Sequence, residues 1–282
     1  MKKILESLEK YGVEGKEMIC ADGRVRKVYP LLGAYVADYP EQCLVACTHE
    51  NHCPHCSVSP KDRGRLMPSE PCQQKKTLDL LCEDHNHHSK ITAAHLDKHG
   101  LCDIYPPFWA DLPHVNIFSS FTPDLLHQVH KGVFKTHLVS WCESLMTEGV
   151  MDYWFQSMPA HPALHHFKNG ITSIKQWTGK EYKMMEKVFV GVVAGGVNNP
   201  NVVKATCALL DFICLSQLPV HTSDTLHQMD SALEEFHNSK DVFIHEGVPE
   251  HFNIPKIHSL IHYVEAIKSC GTPDGFNTES PE

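Results

Sequence analysis

Tyr35-Val36-Ala37-Asp38-Tyr39-Pro40-Glu41-Gln42-Cys43-Leu44-Val45-Ala46-Cys47, continuing to Cys53-Pro54-His55-Cys56, is the segment around which this chain is arranged. The mostly apolar run from Tyr29 to Val36 stops just short of a carboxylate, Asp38, which is how a buried strand delivers an acidic group to a sheet edge. Thiols at metal-ligand spacing follow at once. Cys47, Cys53 and Cys56 form C-x5-C-x2-C, with His49, His52 and His55 between them. A C-x2-C knuckle lets two thiolates share one tetrahedral zinc. Cys43 lies four residues before Cys47, about 13 Å away in an extended strand at ~3.3 Å per residue and far closer in a helical turn. Cys72, Cys82 and His85 compete with it for the fourth position.

Composition bounds the rest. With 282 residues, 42% hydrophobic and 21% charged, the chain has room for one large domain or two small ones and is not a disordered tail. The apolar run from Val188 to Val197 contains three glycines and falls well short of the ~18 residues that cross a bilayer, so no membrane partner is expected. The N-terminus carries charges every few residues and lacks an apolar signal core. Twelve cysteines in that setting point to reduced thiols and metal ligands in an intracellular compartment. The net charge of −9 is a poor match to a free-standing DNA-binding domain. It is also uneven: His221 to Glu282 holds eleven acids against three lysines, and Met1 to Pro30 holds seven basic residues against five acids. Any DNA contact is therefore expected on the basic N-terminal part, and cation binding on the acidic C-terminal part.

Resemblance is specific at several separate motifs. ADGRVRKVYPLLGAYVADYPEQCLVACTHENHCPHC is similar to the central segment of the Plavaka transposases, cut-and-paste transposases of the Kyakuja, Dileera and Zisupton superfamily found in fungal genomes. The similarity continues through PPFWADLPHVNIFSSFTPDLLHQVHKG, HHFKNGITSIKQWTGKEYK, ALLDFICLSQL and FNIPKIHSLIHYVEAI to GFNTESPE. It implies an α/β fold: an incomplete RNase H-like core with a zinc-knuckle insertion and a large, mostly helical insertion. In such folds two aspartates and a glutamate hold Mg²⁺ or Mn²⁺ for attack on phosphodiesters. The resemblance places Asp38 as the second aspartate and Glu279 as the third carboxylate, with Glu282 as its alternative. Asp124-Leu125-Leu126-His127 resembles a signature downstream of the second aspartate, and the two residues share a helix face at three apart. Asp38, Asp124, His127 and Glu279 are thus expected near one another, with transposon-end DNA, and further copies of the chain, as partners in a nucleus.

The implied organisation is a partial RNase H-like sheet over residues 1–46, a zinc-binding insertion over 47–105, a helical insertion over 106–252 and the start of the glutamate-bearing region from 253. Taken in order, residues 3 to 11 read as an amphipathic helix ending near Gly12, and Met18–Cys20 and Val28–Val36 as a hairpin turning at Asp22-Gly23. Thr122-Pro123-Asp124 reads as a helix start with Thr122 at the cap. Pro255 opens a last helix that stops at Gly271.

Nothing between Met1 and Pro30 replaces the family's first-strand aspartate, and its terminal helix is missing, so the chain reads as a catalytic-region fragment, inert alone. Two other classes stay open. A domesticated, non-catalytic zinc module would keep Cys47, Cys53 and Cys56 without Asp38. A zinc hydrolase would use His258, His262 and Glu265, which share one helix face, although Ser259 occupies the place of the general-base glutamate in H-E-x-x-H; a packed or surface histidine stripe is the better reading.

Overall fold

The computed structural model describes residues 1–87, 90–162 and 164–276, without the side chains at 87 and 90–93. Its described part is mostly helical, with one two-stranded antiparallel sheet. Two compact units are formed. The first comprises Met1–Val58 and Ser69–Thr122, the second Ser59–Pro68 and the chain from Pro123 on. Among the described residues, no helix is long and apolar enough to cross a membrane.

In the first unit, α1 (Lys2–Glu14) runs through Gly12 and ends at Gly15, whose φ of 71° suits a residue without Cβ. Gly12 does not break the helix because its bareness is used sideways: a Cβ there would lie 2.4 Å from Pro113 Cγ. β1 (Lys16–Ile19) pairs with β2 (Val25–Val28) in the register Lys16 with Val28 and Ile19 with Val25, across a turn where Gly23 has φ 75°. The expected long strand over Val28–Val36 is not formed. β2 ends at Val28, and Pro30, which has no amide hydrogen to give a ladder, begins a segment without regular structure in which Leu32 packs on the core and the next backbone bridge is at Tyr35. There the Tyr35 amide donates to Ser120 O at 2.7 Å and the Thr122 amide to Tyr35 O at 3.2 Å.

Short α2 (Tyr39–Val45) follows, with Pro40 in its first turn. Gln42, on its buried face, donates to both Ala37 O and Thr122 O at 2.9 Å, tying the two ends of this arrangement together. Trp109 is fully buried beside it, and its indole donates to Val45 O at 2.7 Å. Ala46, Leu81, Leu101, Ile117, Phe118 and Phe121 pack around that ring, drawn from α3 (Gln74–His87), α5 (Ile117–Ser120) and the loops between; α4 (Lys90–His99) adds Leu96.

The second unit is a helical assembly with one large apolar core. Its first element, Leu125–Val139, is a 15-residue π-helix, a form that is uncommon beyond a single turn. Thr136 Oγ1 donates to Lys131 O and Ser140 Oγ to Lys135 O, both across five residues, as i→i+5 geometry requires. Then come α6 (Ser140–Ser144), α7 (Val150–Ser157), α8 (Gly179–Gly196), α9 (Pro200–Ser216), α10 (Ser223–Ser239), α11 (Asp241–His245), α12 (Pro255–Ser259) and α13 (Tyr263–Cys270), with a 3-10 turn between the last two. α8 opens on a reciprocal cap between Thr178 and Glu181, and α13 stops at Gly271 with φ 93°. α9 is the central helix, burying Val202, Ala205, Leu209, Phe212 and Ile213. The loop Ser59–Pro68 belongs to this unit because the Gly64 amide donates to Asn253 Oδ1 at 3.0 Å, and Gly64 sits where a Cβ would be 2.9 Å from the Phe252 backbone.

Two glycines test this packing with opposite signs. Gly12→Ala is expected to destabilise the protein: overpacking against a proline ring costs about 1–3 kcal/mol, more than the 0.5–1 kcal/mol or so that alanine contributes inside a helix. Gly191→Ala in α8 meets nothing within 4 Å and should stabilise by about 0.5–1 kcal/mol. Urea unfolding of both variants checks the pair.

Candidate functional site

Both aspartates singled out in the sequence lie at helix starts. Asp38 is the N-cap of α2, accepting from the Glu41 amide at 3.0 Å, in the first unit. Asp124 is the N-cap of the π-helix in the second. The cap therefore lies two residues later than Thr122, whose hydroxyl donates instead to Tyr35 O at 3.5 Å. Asp124 is only 1% exposed. Its Oδ1 accepts from the Leu126 amide at 3.1 Å, and the His127 amide reaches Oδ2 at 3.2 Å, so the helix end compensates a charge removed from water.

His127 Nδ1 lies 3.4 Å from Asp124 Oδ2. The expected aspartate–histidine juxtaposition is thus present in the geometry. Tyr263, fully buried, donates its hydroxyl to Asp124 O at 2.9 Å and lies 2.8 Å from Gln128 Oε1. Burial first, and the Asp124 charge second, raise the Tyr263 pKa well above its usual value, so it stays a donor. Lys256 reaches across Gly132 to the His127 carbonyl at 3.1 Å; a Cβ on Gly132 would lie 2.4 Å from Lys256 Cδ. Glu279, with its alternative Glu282, lies outside the described residues.

The thiols divide into two groups. Cys53 and Cys56 are buried neighbours, and the His55 amide donates to Cys53 Sγ at 3.4 Å, the amide-to-sulfur contact of a knuckle. Burial, and then Cys56 itself, push the Cys53 thiol up, which is the cost a divalent cation would remove. Cys43 and Cys47 are engaged elsewhere. Their sulfurs lie 3.8 Å from His52 O and Val45 O, and burial pushes their thiols up to about 11 and about 12.

In α12 and the following turn, His258 and His262 are ring neighbours with centroids 5.3 Å apart. Glu265 is not their companion: it is exposed and paired with Lys268 at 2.6 Å. Cys53 and Cys56 in the first unit, and His258 and His262 in the second, are each pairs of the donor types that hold zinc. The histidine pair is packed ring against ring, as the sequence reading preferred.

The family model of the Plavaka transposase matches residues 1–142, just over half the chain. This chain belongs to the Plavaka transposase family. No curated protein matches it. For a Plavaka transposase chain the matched segment is informative, since it contains Asp38, the cysteines, and the Asp124–His127 pair together with the whole π-helix.

The second unit also contains an acid-sensitive feature. His137 and His237 are both pushed down to about 4, by burial first and then by the charges of Lys256 and Lys240. A histidine depressed in the fold contributes stability that is present above its unfolded value of 6.5 and is lost as pH falls toward 4. Stability measured by urea unfolding should therefore drop between pH 6.5 and 4, by about 2–3 kcal/mol for each histidine at most. His137→Gln and His237→Gln should each flatten the profile; a profile unchanged in both would reject the assignment.

Proposed function

We propose that this chain is part of the catalytic region of a DDE/D-type transposase, acting on transposon-end DNA by metal-dependent strand cleavage and transfer in the nucleus. The observation that carries the reading is the Asp124–His127 pair, 3.4 Å apart at the opening of the π-helix in a chain of this family. In this reading Asp38, Asp124, His127 and Glu279 hold Mg²⁺ or Mn²⁺, which would polarise the phosphodiester and activate the attacking oxygen. An RNase H-like sheet is the companion proposal for β1 and β2. Its support is that all eight of their residues are exposed, leaving faces and edges open to further strands.

One observation favours a second, purely structural role for the aspartates. Helix N-termini stabilise anions and repel cations, and Asp124 already spends its oxygens on backbone amides. Mn²⁺ binding followed by electron paramagnetic resonance separates the two. The catalytic reading expects a site lost in both Asp38→Asn and Asp124→Asn. A Mn²⁺ signal indifferent to both substitutions, alongside an Asp124→Ala stability loss of about 1–2 kcal/mol, would leave only the caps.

Zinc is proposed as the structural cofactor, held by the Cys53–Cys56 knuckle, whose buried sulfur accepts from the His55 amide. One equivalent is expected by metal analysis of the purified protein. It should be lost in Cys53→Ser/Cys56→Ser. Cys47→Ser and Cys43→Ser test the rest of the set expected from the sequence, in which Cys47 joins Cys53 and Cys56 and Cys43 competes for the fourth position: zinc unchanged in both would remove them from the site. The same zinc site would serve a domesticated interaction module, which differs in being indifferent to Asp38 and Asp124.

A further inference from the structure

The basic groups of the N-terminal stretch are partly neutralised: Lys2 bonds Asp111 at 2.8 Å, and Arg26 grips Asp22 with both guanidinium nitrogens, the closer at 2.6 Å. A different set of cations stands along the π-helix. With i→i+5 hydrogen bonding, residues four and five apart share a face. His127, Lys131 and Lys135 follow one another at four, and His127, Gly132 and His137 at five. Among the described residues, no carboxylate pairs with Lys131 or Lys135. Their like charges repel, and Lys135 is pushed down by burial first and by Lys131 second. The cost is not relieved by disorder, because Lys135 is held 4.2 Å over the Trp177 ring. On the neighbouring row the Lys256 stem lies across Gly132, with its ammonium at the His127 carbonyl. The row of four therefore carries two cations one turn apart, the second fixed over an indole, on the helix that begins beside Asp124.

We propose that this row, Lys131 and Lys135, tracks the phosphate backbone of duplex DNA toward the Asp124–His127 pair. The inference rests on the strand-transfer reading for its choice of partner, and it moves the DNA contact away from the N-terminal basic stretch. A duplex is the fitting polyanion because its charges recur along a line, as these do, and because ammonium groups act as point contacts to phosphate without reading bases. Glu143 in α6, a turn past Val139, marks where the stripe ends.

The test is fluorescence anisotropy of a labelled mixed-sequence duplex of about 20 base pairs, titrated with the full chain from 50 to 200 mM salt. No magnesium or manganese is added, so failure of the stripe and failure of the catalytic metal site are read separately. Lys131→Gln/Lys135→Gln should weaken binding about tenfold and reduce the slope of log affinity against log salt by about 2, roughly one for each phosphate that is no longer neutralised. Lys131→Arg/Lys135→Arg, which keeps both charges and the stacking on Trp177, should restore wild-type behaviour. Arg24→Gln/Lys27→Gln in the hairpin should leave affinity and slope in place. Wild-type affinity in the glutamine pair, or a weakening confined to the hairpin variant, overturns the proposal. So does a wild-type chain that ignores the duplex but binds a polyglutamate peptide of equal charge, which would make the stripe a surface for acidic protein.

Discussion

Removing the Asp124 carboxylate from water is the demand that the second unit is built to meet. A carboxylate that is 1% exposed is costly unless hydrogen bonds replace the water it has lost. Two amides of the helix opening point at it, the His127 ring stands beside it, and Tyr263 fixes the adjacent carbonyl from a helix 139 residues away in sequence. Once the helix start is fixed in this way, the direction of the π-helix is fixed too, and with it the apolar side that meets α8, α9 and α12.

The π-helical form has chemical effects that an α-helix of the same sequence would not produce. Its wider turn places Gly132 directly between His127 and His137, which opens the notch for Lys256. That lysine then supplies a charge to the His127 carbonyl and helps hold His137 neutral. The acid-sensitivity at His137 and the seat of Lys256 therefore share one origin in backbone geometry, whereas His237 owes its own to burial and Lys240.

Much of this was legible in the sequence where local chemistry decides the outcome. Asp22-Gly23 made a turn because glycine accepts φ 75°, Pro255 opened a helix, and Gly271 closed one. The Asp124-x-x-His127 spacing gave a contact because both residues sit in the same first helical turn. The failures come from terms that local pattern does not contain. Tyr29 to Val36 has strand-like residues, yet Pro30 ends the ladder and tertiary hydrogen bonds to Ser120 and Thr122 take over. Gly12 looked like a helix stop until Pro113, distant in sequence, supplied a reason for a missing Cβ. The π-helix was invisible because apolar residues spaced three and four apart suit an ordinary helix equally well.

The loop Ser59–Pro68 gives the chain an unusual assembly order. Its Gly64 amide is bonded to Asn253, 189 residues downstream, while the residues on either side of the loop belong to the other unit. On a ribosome this decapeptide has no destination until Asn253, 189 residues after Gly64, has been made. Loop closure over such a separation is slow, and contacts of this kind place a domain among the late folders. The Gly64 amide therefore waits without its Asn253 partner during synthesis, a window in which chaperones or a neighbouring nascent chain can reach the loop. A cut at Thr122 would not yield two independent pieces, since the second would lack the ten residues that cover this edge.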